Sequence, residues 1–186
     1  IRMDQYILAY MLDVESVAIY AVAARFAEFL WFIPLVLCSS FFPILINIYE
    51  KSSKDEFYEY LKNLMCFLYI VSLMLSIMLF GFSDLIISIF FNSEYTESSI
   101  IMSILAFSII PLSFGTIGSQ YTVLKKYGAH SIYRVLVALI FNLILNLILI
   151  PIYGTAGAAI ALIISQFCSS LFIDIFFART KKLFFI

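Results

Sequence analysis

Apolar residues come in long runs along this chain. Val17 to Tyr49 is interrupted only by Arg25 and Glu28, Leu64 to Phe82 and Ser98 to Leu124 carry no charge, and Val135 to Ile173 is charge-free throughout. A membrane helix needs ~20 predominantly apolar residues, so each run is long enough to span a bilayer. The last run, as one helix at ~1.5 Å per residue, would reach nearly twice the ~30 Å hydrocarbon core and must turn back. The turn signal is Pro151-Ile152-Tyr153-Gly154-Thr155, because Pro and Gly break helices most strongly. The opening stretch, Ile1 to Leu12, is too short to span and reads as the end of a helix that begins upstream. The pattern predicts an all-α transmembrane bundle of six helices, the first truncated, at about 1–12 (partial), 17–49, 61–82, 98–124, 131–150 and 155–177.

Composition agrees. Hydrophobic residues make up 64% and charged residues 12%, against roughly 45–50% and 25% in soluble domains. Mean hydropathy is +1.08 over the whole chain, which leaves no segment for a soluble domain. The charges are ordered. Basic residues are absent around Asp13 and Glu15, then present as Lys51, Lys54 and Lys62. They are absent again over Gly81–Glu97, where Asp84, Glu94 and Glu97 sit, and return as Lys125, Lys126 and Arg134. The Tyr153 turn is uncharged, and Arg179, Lys181 and Lys182 close the series. Nine of the eleven Lys/Arg thus fall on one side, which the positive-inside rule makes the cytoplasm, with the C-terminal end there too. Asp84 reads as the cap of a short interfacial helix or as part of an extension of the following span.

Few residues offer chemistry. Cys38, Cys66 and Cys168 lie in apolar runs without metal-ligand spacing, and His130 stands alone. No catalytic set, phosphate loop, metal site or cofactor motif can be assembled, and nucleic acid is not indicated. Intramembrane charges are functional candidates by default. Arg25 and Glu28 are i,i+3 neighbours on one helix face. Arg2, Asp4 and Gln5 form a second polar group; it reads equally as a pair snorkelling from a helix end. Pro34 and Pro111 are kink candidates, either hinges or static packing devices. Asn142 and Asn146, i,i+4, read as interhelical hydrogen-bond glue. Gly154, Gly157, Ala158 and Ala161 form a small-residue stripe for close packing.

Several stretches resemble the C-terminal half of bacterial polysaccharide exporters of the O-antigen flippase type. The matches are Asp4-Gln5, Ile19-Tyr20, Ala23 and Pro34, with Ala18 where that family carries Gly. "IFFNSEY" resembles the short element before the tenth helix of the family. "FNLILNLILIPIYGTAGAAIALIISQ" is the most specific match. The superfamily also holds multidrug/cation antiporters and lipid II flippases. The resemblance implies half of a twelve-helix exporter fold, two six-helix bundles facing across a cavity, with the N-terminal six-helix half absent here. It implies transport of an undecaprenyl-diphosphate-linked oligosaccharide across the bacterial inner membrane by alternating access, in O-antigen or lipopolysaccharide synthesis and without enzymatic chemistry. The lipid-linked oligosaccharide and membrane lipid are the implied partners, with a polysaccharide polymerase and chain-length proteins. Arg25, then Arg2, are the implied substrate contacts, and Asp4 and Glu28 the implied ion-coupling groups. The competing expectations are a cation-coupled multidrug antiporter, a membrane enzyme and a non-catalytic structural subunit.

Overall fold

The computed structural model describes residues 3–91 and 93–172, and every regular element among them is helical. Arg2, Arg179, Lys181 and Lys182 lie outside the described residues, as does the end of the predicted 155–177 helix. Helix α1 (Met3–Met11) leads directly into α2 (Val14–Lys51). Asp13 separates them as an N-cap: its carboxylate accepts the Ser16 N–H at 2.7 Å, satisfying one of the free donors that open any helix. That bond holds the Asp13 carboxyl below its ordinary 3.8. Ser53 caps α3 (Lys54–Phe90) in the same way through the Glu56 N–H at 3.3 Å.

The third segment is longer than the predicted 61–82. Buried Leu79, Ser83 and Ile87 recur at i, i+4 and i+8, so the inward face simply continues past Gly81. Asp84 therefore caps nothing and belongs to α3, not to an interfacial helix or the following span. A 3₁₀ turn at Ser93–Tyr95 carries the chain into α4 (Thr96–Ala106) and α5 (Ile109–Leu124).

The predicted single helix 98–124 is thus broken, with α4 and α5 bent by 40°. Pro111 explains the place. It has no N–H for the Phe107 carbonyl, and the Ile110 N–H turns to that carbonyl instead, at 3.4 Å. The Ala106 carbonyl is taken up by the Ser76 hydroxyl of α3 at 2.7 Å. By contrast α2 runs on as one helix through Pro34 and Pro43.

Helix α6 (Gly128–Phe167), followed by a π-helical turn (Cys168–Phe172), contains the hairpin. Gly154 has φ 59° and ψ −136°, outside helical space. Arg134 Nε donates to Ser169 O at 3.3 Å, although a straight helix would hold residues 35 positions apart at ~52 Å. The arms 128–153 and 155–167 therefore lie antiparallel. Gly157 rests on the Leu149 and Ile150 backbone, which only a residue without Cβ can do.

Among the described residues three helices are long and apolar enough to cross a membrane, and α4 with α5 qualifies as a fourth, broken span. The fold of α6 divides the last of the three into two arms. Less than a third of each apolar window is buried inside the bundle, which suits lipid and not water. Two buried clusters fill the bundle. One gathers Leu8, Tyr20, Ala23, Ala27, Met102, Leu105 and Ala158, the other Cys38, Leu45, Phe57, Leu61, Leu68 and Tyr121. Serines stitch α3 to its neighbours: Ser72 to Ser113, and Ser83 to Ser103. The ends differ in charge. Lys125 Nζ lies 4.2 Å over the Tyr49 ring and 5.3 Å over that of Phe57, so the Lys51–Lys54 and Lys125–Lys126 connections share one end. Ser98 bonds Ile19 O at 2.8 Å, which places Glu94 and Glu97 at the other end, with Asp13 and Glu15.

Candidate functional site

Three polar side chains inside this apolar bundle converge on Asp4. It sits in the first turn of α1, which packs against α6, and is 6% exposed. Asn142 and Asn146, one turn apart on the first arm, both aim amides at it. Asp4 Oδ1 accepts from Asn142 Nδ2 at 2.8 Å and from Asn146 Nδ2 at 2.7 Å. The Tyr20 hydroxyl, from α2, donates to Oδ2 at 3.5 Å. A carboxylate in low dielectric needs such partners, and here three helices supply them. The Asn pair acts as interhelical glue, and its partner is the acid of α1.

Around this knot run three cavities in series. The first, about 260 Å³, is lined by Asp4, Gln5, Tyr20, Glu28 and Trp31. The second, about 330 Å³, shares Asp4, Trp31 and Leu162 with the first and adds Asn142, Ser165 and Gln166. The third, about 380 Å³, shares Val135, Ala138 and Gln166 with the second and reaches Arg134, Thr116 and Gln120. Together they form a furrow between α1, α2, α5 and α6. Two buried acceptors in or beside it, Asn146 Oδ1 and Gln166 Oε1, take no hydrogen bond among the described residues.

Arg25 lines none of these three cavities. Its side chain is 63% exposed and its NH1 stands 3.8 Å from Glu28 Oε2, so it touches the first cavity through Glu28. Asp4 and Glu28 thus meet in one cavity, and Arg25 stands behind the second of them. Pro34 is buried within α2, Pro111 stands at the α4–α5 break, and Gly154 and Gly157 serve the hairpin of α6.

Arg134 is a correction. Counted from sequence among the bases of a connection, it is instead buried in α6 at 6% exposure. Its guanidinium donates to Gly115 O at 3.4 Å, Ser169 O at 3.3 Å and Ser170 O at 3.0 Å. It lies flat on α5 because Gly118 has no side chain: a Cβ there would stand 2.4 Å from NH1. Trp31 was also missed. Its N–H donates to Ser108 Oγ at 3.0 Å, at the break between α4 and α5. The available signal was that the chain's single Trp follows Glu28 by three residues, on the same helix face. Among the described residues no group of three His, Cys, Asp or Glu is placed to hold a metal.

The MatE family model matches residues 3–149, from α1 into the first arm of α6. The capsular polysaccharide biosynthesis protein CapF of Staphylococcus aureus is 34% identical over 142 residues, 75% of this chain and 35% of that protein. The probable low-salt glycan biosynthesis flippase Agl15 of Haloferax volcanii is 30% identical over 166 residues, 88% of this chain and 34% of that protein. An uncharacterized membrane protein of Methanocaldococcus jannaschii is 28% identical over 173 residues, 91% of this chain and 34% of that protein. The chain therefore spans about a third of the length of these relatives. No solved structure matches it.

Proposed function

Because the chain belongs to the MatE family, we propose that it is one bundle of a flippase that carries an undecaprenyl-diphosphate-linked oligosaccharide across the bacterial inner membrane. The furrow carries this reading. Carboxylates, amides and an indole line a cleft inside a bundle whose spans are otherwise mostly apolar, and such groups are costly in a membrane unless they serve a polar cargo or an ion. The names of the two glycan-related relatives support the same cargo class.

In the proposed mechanism the furrow faces a second, N-terminal bundle. The two rock as rigid bodies to open the cavity to either leaflet, and no covalent chemistry is needed. Arg25, whose guanidinium is exposed, and Arg2 hold the diphosphate, since a guanidinium pairs with phosphate oxygens in a bidentate manner. Asp4 and Glu28 couple the motion to an ion. By the positive-inside rule the basic connections face the cytoplasm, the side from which the cargo is taken.

The test is Arg25→Ala in the complete protein. Surface glycan should be lost and lipid-linked oligosaccharide should accumulate on the cytoplasmic leaflet, while the protein remains in the membrane. Normal surface glycan would take Arg25 out of the mechanism. A second reading, cation-coupled multidrug antiport, is favoured by the acidic character of the first cavity, where both charged lining residues are carboxylates. Under that reading, deletion of the gene sensitises cells to lipophilic cations and leaves the glycan intact.

A further inference from the structure

We infer that Trp31 is the saccharide-stacking wall of the furrow. This rests on the flippase reading and names the part of the cargo that the furrow holds. Trp31 lines both the first and the second cavity, so it stands between the Asp4–Glu28 side and the Asn142–Gln166 side. Its N–H is already committed to Ser108 Oγ, 3.0 Å away. What the indole has left to offer a ligand is its π surface, and carbon-bound hydrogens of a sugar ring pack on such surfaces.

The neighbouring polar groups offer a polyhydroxyl ligand hydrogen-bond partners on both sides of the indole. Asp4 already accepts three hydrogen bonds from Asn142, Asn146 and Tyr20, and Glu28 lies beside Arg25, so both carboxylates are engaged within the bundle. Gln166 Oε1, on the far side of Trp31, is a buried acceptor that takes no hydrogen bond among the described residues. A sugar hydroxyl donates to such a group and accepts from others. The Ser108 bond fixes the indole against the break of the fourth span, which makes the wall rigid.

The experiment uses the complete purified protein and three probes: undecaprenyl diphosphate, the same carrier bearing the native oligosaccharide, and tetraphenylphosphonium. Trp31→Leu should weaken binding of the glycosylated probe about tenfold, the order of one stacking contact. The sugar-free probe should bind within about twofold of wild type, since ~0.4 kcal/mol is a twofold change. Trp31→Phe, which keeps a ring, should recover most of the loss. Ser108→Ala should give a smaller loss confined to the glycosylated probe. Equal weakening of both carrier probes by Trp31→Leu would mean a merely structural Trp and overturn the inference. So would unchanged binding of both, or a loss seen only for tetraphenylphosphonium. Wild-type protein that binds neither carrier overturns the flippase reading itself, whereas binding indifferent to Trp31 overturns this inference alone.

Discussion

Consider one methyl group added at Gly157. The new Cβ would stand 2.3 Å from Leu149 O, 2.6 Å from Leu149 C and 3.0 Å from Ile150 N. A carbon meets a carbonyl oxygen comfortably at ~3.3–3.6 Å, so the arms of α6 must part by about 1 Å. All three obstacles are backbone atoms, and no rotamer change relieves them. The separation would loosen Ala158, Ala159 and Ala161, which are fully buried, and pull on Arg134 where it holds Ser169 and Ser170. Overpacking of this kind costs ~1–3 kcal/mol, and each kcal/mol shifts the Tm of a chain this size by ~2–4 °C. Gly154→Ala should destabilise for another reason. Nothing lies within 4 Å of its Cβ position, but φ +59° with ψ −136° is glycine's territory, and strain there costs ~1–3 kcal/mol. Gly81→Ala is the control: it has open space inside α3 and should gain ~0.5–1 kcal/mol of helix propensity. Thermal unfolding of the complete protein in detergent measures all three. A Gly157→Ala protein that melts with, or above, wild type would refute the close-packed hairpin.

Asn146→Leu should lower stability by ~0.6–1.7 kcal/mol, the measured range for membrane interhelical hydrogen bonds, because Asp4 loses its 2.7 Å donor. Adding Asp4→Leu should cost less in that background than in wild type, and a double-mutant cycle of melting temperatures checks the coupling. For Asp13 the sign follows from its cap bond. Its carboxyl is lowered in the folded state, so the stabilisation is full above the ordinary 3.8 and fades as pH falls through the lower folded value. Asp13→Asn keeps a capping oxygen without titrating, so its melting temperature relative to wild type should be level above 3.8 and rise in its favour as pH falls from there through the lower folded value.

Several features were legible in the sequence because they are local. The return at Gly154 follows from a charge-free run too long for one crossing. Pro111 marked the fourth span, yet the break falls at Phe107 and Ser108, because proline removes a bond one turn upstream. Gly81 and Asp84 looked like an ending, but the apolar period on α3 outlasted both. Arg134 misled because a single base beside a connection does not reveal the Gly118 recess that receives it. The least legible feature was the partner of the Asn pair. Spacing placed Asn142 and Asn146 on one face, but nothing local tied that face to Asp4.

The bond between Asp4 and Asn142 joins residues 138 positions apart, and that separation sets a clock on biogenesis. Synthesis runs at ~5–20 residues per second, so the ribosome needs ~7–28 s to make the amides after the acid. During that interval, of the three donors that hold the α1 carboxylate, only Tyr20, 16 positions on, has been made. A quality-control factor that surveys unpaired charge in the membrane would find its target in that window, and lose it when the hairpin arrives.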